Sequence, residues 1–80
     1  MEGHTVVIGR IDIEAFPDYS DPDFYNIKNG CAIIDYGYIA GAYEDISMNL
    51  GGELQAESFL KYIEENDHGT FFGDGYVIEF

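Results

Sequence analysis

Between Thr5 and Phe16 the sequence TVVIGRIDIEAF alternates in its second half, with Ile11, Ile13 and Ala15 on one side and Arg10, Asp12 and Glu14 on the other. A period of two is that of a strand with one buried and one wet face. Pro17 lacks a ladder donor and is expected to end the strand, and the turn formers of DYSDPD carry the chain to Phe24. The following stretch, FYNIKNGCAIIDYGYIAGAYEDISM, reads as successive short strands. Asn29 and Gly30 tolerate the positive φ angles of a tight hairpin, which predicts pairing of 24–28 with 31–39. A second reversal near Ala40 and Gly41 is expected to lead into a further strand over 42–48.

Gly51 and Gly52 interrupt this pattern, and the period then changes. In ELQAESFLKYIEEN the apolar residues Ala56, Phe59, Leu60 and Ile63 recur at i, i+3, i+4 and i+7, which predicts a helix over about 53–65. Glu57 and Lys61 form a favourable i, i+4 pair on its wet side, whereas Glu64 and Glu65 meet the negative end of the helix dipole. Beyond it, Gly73, Asp74 and Gly75 predict a hairpin turn, and Tyr76, Ile78 and Phe80 alternate with Val77 and Glu79. The expected fold is α+β, a single domain over 1–80: a twisted antiparallel sheet of five or six strands with one helix packed on one face.

Charge changes this plain picture. Sixteen Asp and Glu stand against Arg10, Lys28 and Lys61, for a formal charge of −13. Three cations can offset three carboxylates at most, so the rest repel one another across a small domain. Such a surface repels nucleic acid and anionic membranes and attracts basic proteins or cations. With 46% hydrophobic residues and thirteen Phe or Tyr, the chain has the apolar content of a folded protein. Salt adaptation fits poorly with ten isoleucines and thirteen aromatic rings, and solubility alone needs only a modest net charge.

Cys31 is the only cysteine and so has no internal disulfide partner; beside Ala32, Ile33 and Ile34 it reads as a buried thiol. MEGHTVV lacks a basic region followed by a long apolar run, and no segment approaches the roughly 18 apolar residues of a membrane span. A cytoplasmic protein, monomeric or a small homo-oligomer, is the expectation.

Candidate chemistry is sparse. Asp18, Asp21 and Asp23 could offer oxygens to calcium, but Pro22 interrupts them, no glycine precedes Gly30 after Asp18, and no flanking helices are expected. Cys31, His4 and His68 lack the spacing of zinc ligands, so no metal and no cofactor is expected. Nothing links Cys31 or a serine to His68 as a nucleophile and base; His68 beside Gly69 reads as a helix closure and His4 as part of a frayed terminus. GDG and GG are too short to cradle a phosphate. No enzymatic activity is expected.

What remains is the spread of the acids over every element. Acids at i and i+2 of a strand, such as Asp12 and Glu14, stand roughly 6.6 Å apart. Acids one helical turn apart, such as Glu53 and Glu57, stand about 6 Å apart. Duplex DNA carries one charge per about 1.7 Å of axis, so several elements must contribute if carboxylates are to stand in for phosphates. Aromatic residues supply anchors at interfaces, while charge raises the on-rate and selects the partner. Phe16, Phe24 and Tyr25 read as core more readily than as interface, and Tyr19 as the exposed ring. The candidate partner-binding residues are Asp12, Glu14, Asp18, Tyr19, Asp21, Asp23, Glu44 and Asp45.

In size, α+β pattern, single cysteine and carboxylate-covered surface, the chain resembles the small acidic inhibitors encoded by phages and other mobile elements, the anti-CRISPR and anti-restriction proteins. Several of these are DNA mimics. The resemblance lies in composition and layout over the whole chain and carries no functional residue with it. It implies a protein that fills the basic nucleic-acid groove of a nuclease or a CRISPR effector subunit. An immunity protein or antitoxin capping a basic toxin, or a calcium-dependent binding module, are the other expectations the residues leave open.

Overall fold

The computed structural model describes residues 6–80; His4, and Thr5 at the start of the expected first strand, lie outside them. Five strands form one antiparallel sheet: β1 (Ile8–Asp12), β2 (Asn26–Lys28), β3 (Cys31–Asp35), β4 (Thr70–Phe72) and β5 (Tyr76–Glu79). Their order across the sheet is β2-β3-β1-β5-β4. The two helices are α1 (Ile39–Asp45), which runs on into one π-helical turn (Ile46–Leu50), and α2 (Glu53–Glu65). The architecture is α+β as expected: the described residues form five strands, the lower of the two expected numbers, and two helices where one was expected.

Register explains which residues face inward. Ala32, Ile11 and Tyr76 lie abreast on β3, β1 and β5, and the next row toward the β3 end is Ile34, Gly9 and Ile78. These rows meet Ile39, Ala42, Ile46 and Leu50 of the first helical segment and Ala56, Phe59 and Ile63 of α2 in a single core. Phe59 is fully buried and its ring lies 5.4 Å from Phe71 and 6.3 Å from Phe80, which fixes α2 over the β4–β5 end of the sheet. The Tyr76 hydroxyl donates to Gln55 Oε1 from the same side.

Among the described residues no helix covers the other face of the sheet. Asn26, Ile33, Arg10 and Val77 form one row across it, and Lys28, Cys31 and Asp12 the next. Cys31 is therefore half-buried on this open face and does not belong to the core. Arg10 pairs there with Glu79 at 3.0 Å.

The two hairpins follow the glycines. Asn29 at φ 53° and Gly30 at φ 79° take the positive angles of the tight turn between β2 and β3. Pairing spans 26–28 with 31–33, shorter than the expected 24–28 with 31–39, and β3 stops at Asp35. Asp35 Oδ1 accepts from the Gly37 N–H at 2.8 Å and Gly37 takes φ 73°, which turns the chain out of the strand. The expected strand at 42–48 is instead helical. Its apolar residues Ile39, Ala42, Ile46 and Leu50 recur every three or four positions, and all four are buried.

The first strand is also shorter than its alternation suggests. Asp12 Oδ1 accepts from the Glu14 N–H and the Asp12 carbonyl from the Phe16 N–H, each at 2.9 Å, so the chain leaves the ladder after Asp12. Ile11 is buried, Ile13 is half-buried and Ala15 is exposed. Pro17 therefore opens a 3₁₀ turn, Pro17–Tyr19, and does not terminate a strand.

Candidate partner-binding surface

The long connection between β1 and β2 folds over the first helical segment, and the contact between them is built on one carboxylate. Asp45 Oδ1 accepts from the Tyr19 hydroxyl at 2.7 Å and from Asn49 Nδ2 at 2.9 Å, while Oδ2 accepts from the Tyr36 hydroxyl. Asn49 reaches Asp45 because the two stand four residues apart on a continuous helical segment. The π turn that follows ends in a bond from the Gly51 N–H to the Ile46 carbonyl at 3.0 Å.

Each tyrosine is placed by a different local cause. Tyr36 follows β3 on the side of Ala32 and Ile34, and its N–H bonds the Val7 carbonyl at 2.8 Å. Its ring lies over Gly9, where a Cβ would come within 2.6 Å of Cε2. A side chain at position 9 would displace the ring. Tyr19 is held by the 3₁₀ turn and by ring contacts with Tyr25 at 5.0 Å and Phe16 at 6.3 Å. Burial, then the hydrogen bond to Asp45, then its negative charge raise both phenols well above the ordinary tyrosine range, so both remain protonated donors.

Tyr19 is 6% exposed and Phe24 is 81% exposed, which reverses the expectation for both rings. Tyr19 turns inward because its hydroxyl has a carboxylate to reach; Phe24 stays exposed in a loop held by Asp21. That loop is closed by the Asp21 carbonyl, which accepts from the Phe24 and Tyr25 N–H groups at 3.2 and 3.0 Å, and by Asp21 Oδ1, which accepts from the Asp23 N–H at 2.9 Å.

Between loop and helix lies a recess of about 420 Å³, lined by Ala15, Phe16, Pro17, Asp18, Tyr19, Tyr25, Ile34, Tyr36, Asp45 and Asn49. The structure thus brings together Asp18, Tyr19 and Asp45 from the expected site. Glu44 is exposed beside them on α1, and Asp21 and Asp23 are exposed on the same loop. Glu14 is exposed on the turn that leads into it. Asp12 falls elsewhere, in the row of Cys31 and Lys28 on the open sheet face. The sequence reading missed Phe16 and Tyr25 as lining and Tyr36 and Asn49 altogether. The signal for Tyr36 was its place in the alternation Ala32, Ile34, Tyr36, and that for Asn49 was its spacing of four from Asp45.

Two of the three cations lie away from this recess. Arg10 and Lys28 both project from the open sheet face, where they border a second depression with Ile8, Cys31 and Ile33. On the other side, the Tyr43 hydroxyl bonds Glu57 Oε1 at 3.3 Å, which joins α1 to the acidic start of α2. Among the described residues, a path of acids runs from the loop through Asp18, Asp45 and Glu44 to Glu57 and Glu53, with Lys61 one turn beyond Glu57 on α2. Among the described residues no group of three His, Cys, Asp or Glu side chains could hold a metal ion, and no helix is long and apolar enough to cross a membrane. Comparison with family models, curated proteins and solved structures gives no match.

Proposed function

We propose that this protein is an acidic inhibitor that occupies the basic nucleic-acid-binding surface of a nuclease or a CRISPR effector subunit in place of a phosphate backbone. The supporting observation is the acidic path from the β1–β2 loop to α2, set on folded elements away from Arg10 and Lys28, with Lys61 beside Glu57 at its far end. Its charge is sparser than that of duplex DNA. The longest dimension is 32 Å, a length over which duplex DNA carries about 19 phosphates at one per 1.7 Å. The described residues hold fifteen carboxylates, the sixteen of the sequence less Glu2, and seven of them, Asp18, Asp21, Asp23, Glu44, Asp45, Glu53 and Glu57, lie on this path. Partner and inhibitor meet in the cytoplasm of a cell that hosts a phage or mobile element.

Surface charge steers encounter and selects a basic surface, while a few well-packed contacts set the residence time. The reading is tested by capturing the partner from cells on the immobilised protein and measuring the affinity of the purified pair across salt. Between 0.01 M and 1 M the screening length falls from about 30 Å to about 3 Å, so the affinity should fall steeply. Duplex DNA should release the partner at low salt. An affinity flat in salt, with no release by DNA, would refute the reading.

A further inference from the structure

We infer that the recess between the β1–β2 loop and α1 is a socket for a guanidinium group, filled by an arginine side chain of the basic partner. The identity of that partner rests on the function proposed above; the chemistry of the socket rests on its own lining. Four aromatic side chains, Phe16, Tyr19, Tyr25 and Tyr36, line it together with two carboxylates, Asp18 and Asp45. A volume of about 420 Å³ lies within the range of sites that enclose small ligands, about 300–1,000 Å³.

The lining selects the sign and shape of the occupant. An anion would meet two carboxylates, and an apolar group would strip water from both without replacing it. A cation satisfies the carboxylates and is attracted by the electron-rich rings. Asp45 is preorganised, because three donors fix it before anything enters. Each carboxylate oxygen accepts about two hydrogen bonds, so Oδ2, which among the described residues receives the Tyr36 hydroxyl alone, keeps one position open. Asp18 is exposed at the rim.

A guanidinium presents five N–H groups in one plane, can reach both acids, and lies flat against aromatic rings; an ammonium is a strongly hydrated point charge that does neither as well. The Tyr19 and Tyr36 hydroxyls are already committed to Asp45, so an occupant that brings its own donors supplies the further hydrogen bonds the acids can accept.

The test is an NMR titration of the full chain with N-acetyl-arginine N-methylamide, against N-acetyl-lysine N-methylamide and sodium chloride at matched ionic strength. Shifts are expected to concentrate on the rings of Tyr19, Tyr25 and Tyr36 and on the Asn49 side-chain amide. The arginine probe should bind about five-fold more tightly than the lysine probe. Asp18→Asn, which alters an exposed side chain, should weaken the arginine probe about three-fold with the remaining spectrum unchanged. Shifts spread evenly over the acids of α2 and the loop, equal affinity for the two probes, or indifference to Asp18→Asn would each overturn the socket. The two readings fail separately. A partner released by DNA and salt while the arginine probe leaves the recess untouched removes the socket alone. A probe that fills the recess while the partner ignores both DNA and salt removes the DNA mimic alone.

Discussion

Replacing Tyr36 by phenylalanine removes one hydroxyl from the Asp45 cluster and leaves the ring over Gly9 in place. Asp45 then keeps the Tyr19 hydroxyl at 2.7 Å and the Asn49 amide at 2.9 Å, so the carboxylate is weakened in its bonding but not orphaned. Hydrogen bonds to charged groups contribute about 1.5–3 kcal/mol, and the two surviving donors put Tyr36→Phe at the lower end, about 1.5 kcal/mol. For a domain of this size that corresponds to a fall in Tm of roughly 6–12 °C. Tyr19→Phe should cost a similar amount. The double variant should cost more than the two combined, because only Asn49 then serves a carboxylate enclosed by aromatic rings, and groups sharing one network couple by about 0.5–3 kcal/mol. Thermal and urea melts of the four proteins measure all three quantities. A Tyr36→Phe protein that melts within about 2 °C of the parent, or a double variant that is strictly additive, would refute the claim that Asp45 ties the loop to the helix.

Gly9→Ala should displace the Tyr36 ring, since the new Cβ would meet Cε2 at 2.6 Å, and should cost about 1–3 kcal/mol by overpacking; the melt and the ring resonances of Tyr36 report it together. Stability should also fall at alkaline pH. Tyr19 and Tyr36 have phenols raised above their unfolded value near 10, so the native state holds more protons than the unfolded chain above that pH. Their contribution is complete below pH about 10 and is lost as pH rises beyond it, an effect that urea melts from pH 8 to 11.5 would show and that Tyr36→Phe should reduce. Charge reversal at two exposed loop acids, Asp18→Lys with Asp23→Lys, should slow association with the basic partner about ten-fold at low salt, with a much smaller difference at high salt. An unchanged on-rate would move the steering acids to α1 and α2.

The sequence made the sheet and α2 legible because their signals are local. The Asn29–Gly30 and Gly73–Gly75 turns and the spacing of Ala56, Phe59 and Ile63 each carry a short-range cause. α1 was obscured by its composition. Gly41 and three residues of low or middling helix propensity, Ile39, Tyr43 and Asp45, surround the helical spacing of Ile39, Ala42, Ile46 and Leu50, and the preceding strand pattern runs into it without a break. Packing decided the matter, since only a helix buries all four apolar residues on one side.

The recess was less legible for the same reason. Asp18, Tyr19 and Asp45 could be named as candidates by type, but their meeting spans 26 residues and depends on the helix at Asp45 and on the missing side chain at Gly9. Tyr19 shows the limit of reading exposure from neighbours: set among acids and prolines it looks like a surface ring, and it is buried because Asp45 receives its hydroxyl.

The proposed function comes down to whether this protein and nucleic acid compete for one surface. The most direct measurement titrates the purified partner with the protein at several fixed concentrations of duplex DNA. If the acidic path replaces a phosphate backbone, the apparent Kd rises in proportion to DNA without reaching a plateau, and no complex of all three components forms. A plateau in the apparent Kd, or a stable ternary complex, would place the acids of Asp18, Asp45 and Glu57 on a surface the partner does not use for DNA.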